Sequence, residues 1–224
     1  MRIFKVLYKL ILKKYYERKK DYYYPEIVIF SLNFQKFTDF ENKKDTEGYI
    51  NYIMTGINFL QNAGADFIVM SANSPHAVFE YVSKKAKVPM ISIAEVTANK
   101  AKILGMKKLL LLGIKFTMQS GFYKDICNKH GIEVTTPSEK EQDDIDNIVF
   151  DELCLGIFKD ESKNRLLRIM DSYKTDGVIL GCTELPLIIK QQDSTKKLFD
   201  TLDMHTEAVL EYAMNDEQNI ESFE

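Results

Sequence analysis

One cysteine of this chain stands where its chemistry could be used. Cys182 follows the apolar run at residues 178–180, which is typical of a buried strand, and it precedes a predicted helix start. In α/β proteins ligands bind at the carboxyl ends of strands, and a helix N-terminus lowers the pKa of a nearby thiol. We therefore predict that Cys182 is the reactive thiol and can act as an acid or a base. The alternative is that it is a small buried apolar residue, as free cysteines often are.

A second stretch also has polar residues between a predicted strand and a predicted helix. The predicted strand at residues 65–70 runs into a polar segment at residues 71–76, where Ser74 can cap a helix with a proline in its first turn. The backbone N–H groups and hydroxyls of Ser74 and Thr183, with the Asn73 amide, could hold a carboxylate. The alternative is that these three residues are only helix caps, which their types commonly are.

The elements that must position these residues alternate along the chain. Strands are predicted at residues 26–34, 65–70, 88–93, 108–112, 132–135, 178–180 and 197–200. Helices are predicted at 2–20, from Tyr49 to Gly64, and at 95–104, 118–130, 162–173 and 203–214, with residues 139–157 acidic and then helical. Residues 35–47 and 113–117 are predicted to be loops, and the polar tail at 215–224 to fray.

This alternation predicts an α/β fold of two pseudo-symmetric lobes, each a mostly parallel sheet flanked by helices. The first lobe is predicted to comprise residues 1–97 and 206–224, and the second residues 98–205. Because each lobe has one polar loop after a strand, we expect the active site in the cleft between the lobes.

Composition excludes several classes of partner. The net charge of -3 argues against nucleic acid, and no apolar run reaches the roughly 20 residues that span a bilayer. The three cysteines contain no C-x-x-C pair, so neither a metal site nor a disulfide framework is predicted. The basic helix at residues 2–20 is expected to pack on the domain, and a reducing cytoplasmic location is the simplest inference.

Several motifs together resemble the cofactor-independent aspartate/glutamate racemase family. They lie in the stretch 64–70, in Asn-Ser-Pro-His at 73–76, in Gly-Cys-Thr-Glu-Leu-Pro at 181–186, and at Asp200-Thr201 and His205. Glu184 after Cys-Thr resembles the aspartate and broad-specificity branch, since the glutamate branch typically has His there. The resemblance implies two α/β lobes, usually in a homodimer, that hold an amino acid between them without a cofactor.

The resemblance also implies roles for individual residues. Cys182 would be the acid/base, and Glu184 and His205 would orient or tune it. The carboxylate and amino group of the substrate would be held by four polar residues: Asn73, Ser74, Thr117 and Thr183. The remaining cysteines, Cys127 and Cys154, are interpreted as core residues.

Two departures from the family pattern bear on function. The family has a second cysteine in the first lobe, so that one thiol faces each side of the α-carbon, and here that position is Ala72. A methyl group cannot transfer a proton, and the hydroxyl of the neighbouring Ser71 is a poor base without activation. The family also begins with a strand and a glycine-rich loop, whereas this sequence starts almost at the first helix.

Three hypotheses follow. The first is an isomerase, an amino-acid racemase acting on the α-carbon of an acidic amino acid, impaired where Ala72 replaces the cysteine. The second is an impaired relative that binds an amino acid or dicarboxylate, and the third is a one-base lyase or isomerase of the same superfamily. Exchange of the α-proton discriminates between binding and catalysis.

Overall fold

The computed structural model describes residues 3–214, so the predicted fraying of residues 215–224 lies outside the described part of the chain. Its helices are α1 (Ile3–Lys19), α2 (Phe34–Lys43), α3 (Thr46–Asn62), α4 (Phe79–Lys85), α5 (Ile93–Ile103), α6 (Lys115–Gln119), α7 (Phe122–Lys129), α8 (Glu139–Asn147), α9 (Asp160–Ser172), α10 (Leu185–Ile188) and α11 (Thr201–Met214). Its strands are β1 (Ile68–Val69), β2 (Met90–Ile91), β3 (Lys108–Leu112), β4 (Glu133–Thr135), β5 (Gly177–Leu180) and β6 (Lys197–Asp200). The alternation of strands and helices is that of the predicted α/β fold.

The larger sheet belongs to the second lobe and has the strand order β4-β3-β5-β6, with every pair parallel. All four residues of β5 are buried, as are the four leucines of β3. Strands covered by helices on both faces show such unbroken apolar runs. In this register Leu112 lies opposite Leu180, and Leu180 lies opposite Asp200. The carboxyl ends of β3, β5 and β6 therefore meet at one edge, where Cys182 follows.

Two glycines allow the backbones that follow β3 and β5 to approach each other closely. A Cβ atom at Gly113, just after β3, would lie 2.9 Å from the carbonyl oxygen of Gly181. A Cβ atom at Gly181, just after β5, would lie 3.0 Å from the carbonyl oxygen of Leu112. Both positions therefore need glycine for the close approach of the backbones.

The sheet of the first lobe is smaller, because β1 and β2 pair in parallel over only two residues each. Helix α11 packs on α1 and α5. Lys14 of α1 forms ion pairs with Asp203 and Glu207 of α11, at 2.7 Å from the former. An apolar cluster of Leu7, Ile11 and Leu210 lies beneath these charges, so burial and ion pairing both attach α1 to α11.

The strand predicted at residues 26–34 is wrong, because neither sheet includes it. Side chains of this segment instead pack one by one, with Ile27 on the α1–α11 cluster and Leu32 on the cluster around α3. A high β-propensity gives a strand only where a partner strand is available. Val28 and Ile29 consequently remain exposed.

The loop predicted at residues 35–47 is also wrong, since α2 fills most of it. Asn33 caps this helix, its side chain accepting a hydrogen bond from the Lys36 backbone N–H at 3.1 Å. Phe37 and Glu41, four residues apart, form its buried face. The loop predicted at residues 113–117 is wrong in its second half, because α6 begins at Lys115. The single helix predicted at residues 118–130 is divided, because Gly121, with a φ of 80°, separates α6 from α7.

Within residues 3–214 the helices are too short or too polar to span a bilayer.

Candidate functional site

Cys182 lies just beyond the carboxyl end of β5, as the sequence predicts, and is 7% exposed. Its Sγ donates a hydrogen bond to Oε2 of Glu184 at 3.2 Å. The Thr183 hydroxyl donates to the same oxygen at 2.7 Å. The three consecutive residues thus form a compact buried group in which one carboxyl accepts from a thiol and a hydroxyl.

The protonation state of Cys182 differs from the expected one. Burial, followed by the negative charge of Glu184, raises the pKa of the Cys182 thiol well above its ordinary value. The expectation that a helix N-terminus lowers this pKa is wrong, because α10 has only four residues and burial outweighs it. The Cys182 thiol is therefore neutral, so it can donate a proton but must lose its own before it can accept one.

Replacing Glu184 with glutamine should lower the pKa of Cys182, because it removes the adjacent negative charge and keeps a hydrogen-bond acceptor. We expect the pH midpoint of alkylation at Cys182 to fall. Peptide mapping after iodoacetamide treatment across a pH series measures this midpoint. An unchanged or higher midpoint would show that the carboxyl does not oppose thiolate formation.

The other two cysteines are poorer candidates. Cys127 in α7 is fully buried, and burial raises its pKa to about 12. Cys154 is half-buried, and burial together with the charge of Glu184 raises its pKa to about 11. Cys127 belongs to the core as predicted, and Cys154 packs against it from the edge.

Asn73 bridges the two lobes. Its Oδ1 accepts a hydrogen bond from the Tyr123 hydroxyl at 2.6 Å, and its Nδ2 donates to Oγ1 of Thr201 at 3.1 Å. The Thr201 hydroxyl in turn donates to the carbonyl oxygen of Leu180 at 2.9 Å. Asn73 occupies the N-cap position of the 3-10 helix Ser74–Val78 without a capping bond from its side chain. The cap interpretation is therefore wrong for Asn73, whose amide connects the first-lobe loop to the end of β5.

Ser74 is buried and begins the 3-10 helix, so it does not cap a helix as the sequence suggests. The Ser74 hydroxyl acts to lower the pKa of the Glu41 carboxyl, against the larger effect of burial. The Tyr49 hydroxyl donates to Oε1 of Glu41 at 2.9 Å. Burial raises the pKa of the Glu41 carboxyl, and the nearby negative charge of Asp146 acts in the same direction. Sequence analysis missed Glu41, although its spacing from Phe37 was the available signal.

Thr117 in α6 carries a hydroxyl with no hydrogen-bond partner among the described residues, although the residue is 1% exposed. Its Cβ lies 3.3 Å from where a Cβ at Gly113 would stand, so it adjoins the ends of β3 and β5. A buried hydroxyl without a partner costs stability and calls for an explanation. A ligand at this edge of the sheet would provide the missing bond, in keeping with the predicted substrate-binding role of Thr117.

The loop at Ser71 and Ala72 is half-buried and is held by His76. His76 Nδ1 donates to the Ala72 carbonyl oxygen at 3.0 Å, because its Nε2 accepts from the Ile93 N–H at 3.1 Å. His76 is thus a neutral residue that fixes the loop.

His205 is fully buried, and its Nε2 donates to the carbonyl oxygen of Ile91 at 3.1 Å. Its Nδ1 has no partner in the described structure. His205 is thus bonded to β2. That it orients or tunes Cys182 stays a prediction.

The two buried histidines should make the protein sensitive to acid. Burial lowers the pKa of His205 to about 4 and that of His76 to about 3. Below the ordinary histidine pKa of about 6.5, the unfolded chain binds protons that the folded chain does not, so stability falls as the pH falls. Each histidine should cost about 2 kcal/mol between about pH 7 and pH 5.

Urea unfolding of wild type and of His205→Gln at several pH values tests this expectation. Above about pH 7 the difference between the two proteins should stay constant, and it should shift in favour of the variant as the pH falls towards about 5. Parallel pH dependences of the two proteins would contradict the assignment of a depressed pKa to His205. Comparing the two proteins removes the contribution of the buried carboxyls, whose raised pKa values act in the opposite sense.

The predicted site residues come from both halves of the chain, and the Cys182 thiol lies just after β5. Asn73 and Ser74 come from the first lobe, whereas Thr117, Cys182 and Thr183 come from the second. In the described residues no three His, Cys, Asp or Glu side chains are placed to hold a metal ion together. The arrangement can bind a small polar molecule and exchange a proton with it.

Comparison with known proteins identifies the type of protein that carries this site. The family model for Asp/Glu/Hydantoin racemase matches residues 8–209. The broad specificity amino-acid racemase RacX of Bacillus subtilis is 24% identical over 195 residues, which cover 84% of this chain and 82% of RacX. The glutamate racemase of Nitratiruptor sp. is 30% identical over 166 residues, covering 70% of this chain and 60% of that protein.

A solved structure agrees with these sequence matches. The crystal structure of an aspartate racemase homologue from Pyrococcus horikoshii OT3 has a TM-score of 0.82 and 36% sequence identity, and the match covers 95% of this chain and 94% of that one.

Proposed function

Because the chain belongs to the Asp/Glu/Hydantoin racemase family, we propose that it is an isomerase that uses Cys182 to exchange the α-proton of an amino acid. An acidic amino acid is the proposed substrate, bound without cofactor or metal, and a homodimer of two-lobed subunits is the proposed assembly. In each subunit, residues 1–97 with 206–224 are proposed as one lobe and residues 98–205 as the other. The observation that carries the proposal is the buried thiol just after β5, because hydrogen bonds through Thr201 join the last carbonyl of this strand, that of Leu180, to Asn73 of the first-lobe loop.

Substrate binding would bring a carboxylate and an ammonium group to the site. The carboxylate would accept hydrogen bonds from the hydroxyls of Thr117, which has no partner among the described residues, and of Ser74. The Thr183 hydroxyl would join them by turning away from Glu184. The substrate ammonium would stand near Glu184 and oppose its charge, which lowers the pKa of Cys182 towards neutrality. When substrate is bound, Cys182 thus releases its proton to solvent and becomes a thiolate.

The proposed reaction moves one proton between the substrate α-carbon and Cys182. The Cys182 thiolate takes the α-proton, so the C–H bond breaks and an S–H bond forms, while the electron pair moves into the substrate carboxylate. Hydroxyls around that carboxylate would stabilise the charge as it develops. Return of the proton from Cys182 to the same face regenerates the original enantiomer.

Inversion needs a second group on the opposite face. Ala72 stands at the family's first-lobe cysteine position and cannot supply a proton. We therefore expect exchange with retention of configuration to be faster than racemisation, in contrast to an enzyme with two thiols.

Incubation of the protein in deuterated water with L- and D-aspartate and glutamate tests the proposal. Proton NMR measures loss of the α-proton, and chiral chromatography measures inversion. We expect at least one enantiomer to exchange its α-proton with retention. Absence of exchange for these substrates and for a panel of neutral and basic amino acids would overturn the proposed activity.

A second candidate function is favoured by Ala72 alone, namely binding of an amino acid or dicarboxylate without catalysis. Calorimetric binding of aspartate with no α-proton exchange would establish this function in place of the first. A one-base lyase or isomerase is distinguished by formation of a product other than the enantiomer.

A further inference from the structure

A surface cavity of about 250 Å³ lies at the carboxyl ends of β5 and β6. Leu180 and Asp200, which end these strands opposite each other, line it together with Pro186 and Ile189. We propose that this cavity is a second ligand site, separate from the Cys182 site, and that it binds an amino acid with an aliphatic side chain. This inference goes beyond the proposed function and does not depend on it.

The cavity is distinct from the predicted substrate site. The described residues that line it include neither Cys182 nor any residue predicted to bind substrate. It nevertheless adjoins the segment that carries the thiol, since Leu180 precedes Cys182 by two residues and Pro186 follows it by four. A ligand in the cavity and a substrate at Cys182 can therefore be bound at the same time.

The size and the apolar walls of the cavity suit an aliphatic side chain. Its apolar lining comes from Leu180, Pro186, Ile189 and Leu198. An apolar cavity of about 150 Å³ holds benzene, which has six heavy atoms, so about 250 Å³ is enough for the nine of leucine. Small-molecule sites commonly combine such walls with a few polar groups that fix the orientation of the ligand.

Asp200 supplies an acceptor for a ligand ammonium group. Its Oδ1 accepts hydrogen bonds from the backbone N–H groups of Leu202 and Asp203, both at 3.1 Å. Its Oδ2 has no hydrogen bond, and the carboxyl forms no ion pair, within the described residues. Burial raises the pKa of this carboxyl, and an ammonium group beside Oδ2 would stabilise the charged form.

Two exposed lysines of the lining supply donors for a ligand carboxylate. Lys197 forms no hydrogen bond from its ammonium and no ion pair with another described residue. Lys190 uses one of its three N–H groups, which donates to the carbonyl oxygen of Pro186. The lining thus carries both signs of charge beside an apolar surface, which matches a zwitterionic amino acid with an aliphatic side chain.

The wall of the cavity at residues 191–198 is held in place by the protein itself. Gln191 donates from Nε2 to the carbonyl oxygen of Lys196 at 2.9 Å, and its Oε1 accepts the backbone N–H of Leu198 at 3.0 Å. This part of the cavity is therefore formed before a ligand binds, which lowers the entropic cost of binding.

Isothermal titration calorimetry with L-leucine as the probe tests the inference. We expect a dissociation constant of about 1 mM, ordinary for a ligand of this size, and no change in it when excess aspartate is present. The methyl NMR signals of Ile189 and Leu198 should shift when leucine is added. Isocaproate, which lacks the amino group of leucine, and isoamylamine, which lacks the carboxylate, should each bind about tenfold more weakly or worse.

Two variants remove the charges that the ligand would meet. Asp200→Asn and Lys197→Gln should each weaken leucine binding about tenfold or more. Asparagine keeps an acceptor for the two backbone N–H groups but loses the negative charge. Asp176→Asn is the matched control, because Oδ2 of Asp176 also accepts two backbone N–H groups, those of Lys107 and Lys108, just before β5. We expect this control to bind leucine within about twofold of wild type.

The remaining outcomes also decide the matter. Lys197→Gln carries the test if Asp200→Asn does not fold by circular dichroism. Absence of leucine binding in the millimolar range would overturn the inference, and so would displacement of leucine by aspartate, which would place leucine in the Cys182 site. Equal binding of leucine and isocaproate, or an equal loss of affinity in Asp176→Asn, would overturn it as well. None of these outcomes measures α-proton exchange, so the proposed function is tested separately.

Discussion

Replacing Ala72 with cysteine should raise the rate of racemisation by about 10²-fold or more, because it places a thiol at the family's first-lobe position. Ala72 is half-buried, and its carbonyl is held by His76 at 3.0 Å. The backbone of this loop is therefore already fixed, and a cysteine adds only one sulfur atom. Circular dichroism of D- and L-aspartate solutions follows the reaction directly.

Ala72→Ser is the matched control for this gain. It has nearly the same size as Ala72→Cys but carries a hydroxyl, which is a much weaker acid than a thiol. We expect it to remain close to wild type. If Ala72→Cys leaves racemisation unchanged while Cys182-dependent exchange continues, then position 72 does not face the α-carbon and the comparison with two-thiol relatives fails at this residue.

Replacing Cys182 with alanine should lower α-proton exchange by about 10²–10⁴-fold, the usual effect of losing a positioned acid or base. The thiol is the proton carrier that we propose, and alanine leaves a methyl group, which cannot transfer a proton, in its place. Proton NMR in deuterated water measures the loss for each enantiomer.

Cys127→Ala provides the control for removal of a thiol elsewhere. Cys127 is fully buried in α7 and belongs to the main apolar core, so its loss should lower stability slightly and leave exchange within a few-fold of wild type. Exchange that survives in Cys182→Ala and is lost in Cys127→Ala would contradict the choice of reactive thiol.

The second lobe was predictable from sequence because its elements are set by local patterns. The leucine run of β3 and the apolar run before Cys182 are strands at the predicted places. The first lobe was less predictable, because residues 26–34 have strand composition without a neighbouring strand, and composition does not reveal a missing partner. The signal for α2 was present in Asn33, a good N-cap residue.

Within the candidate site, too, contacts between neighbouring residues were predictable and contacts between distant residues were not. Cys182 and Glu184 are two residues apart, so their contact follows from a short motif. Asn73 bonds to residues 50 and 128 positions away in the chain, and such partners depend on how the lobes pack. The raised pKa of Cys182 was also beyond sequence, because it depends on how completely the surrounding protein excludes water.

The hydrogen bonds of Asn73 to Tyr123 and Thr201 also determine how firmly the first-lobe loop is held against β5. Each bond contributes about 0.5–1.5 kcal/mol net, so moving this loop away costs about 1–3 kcal/mol from these two bonds. Other contacts, such as the bond from His205 to Ile91, add to that cost. Because Cys182 is 7% exposed, loss of the Asn73 amide should make the thiol easier to reach while it loosens the loop.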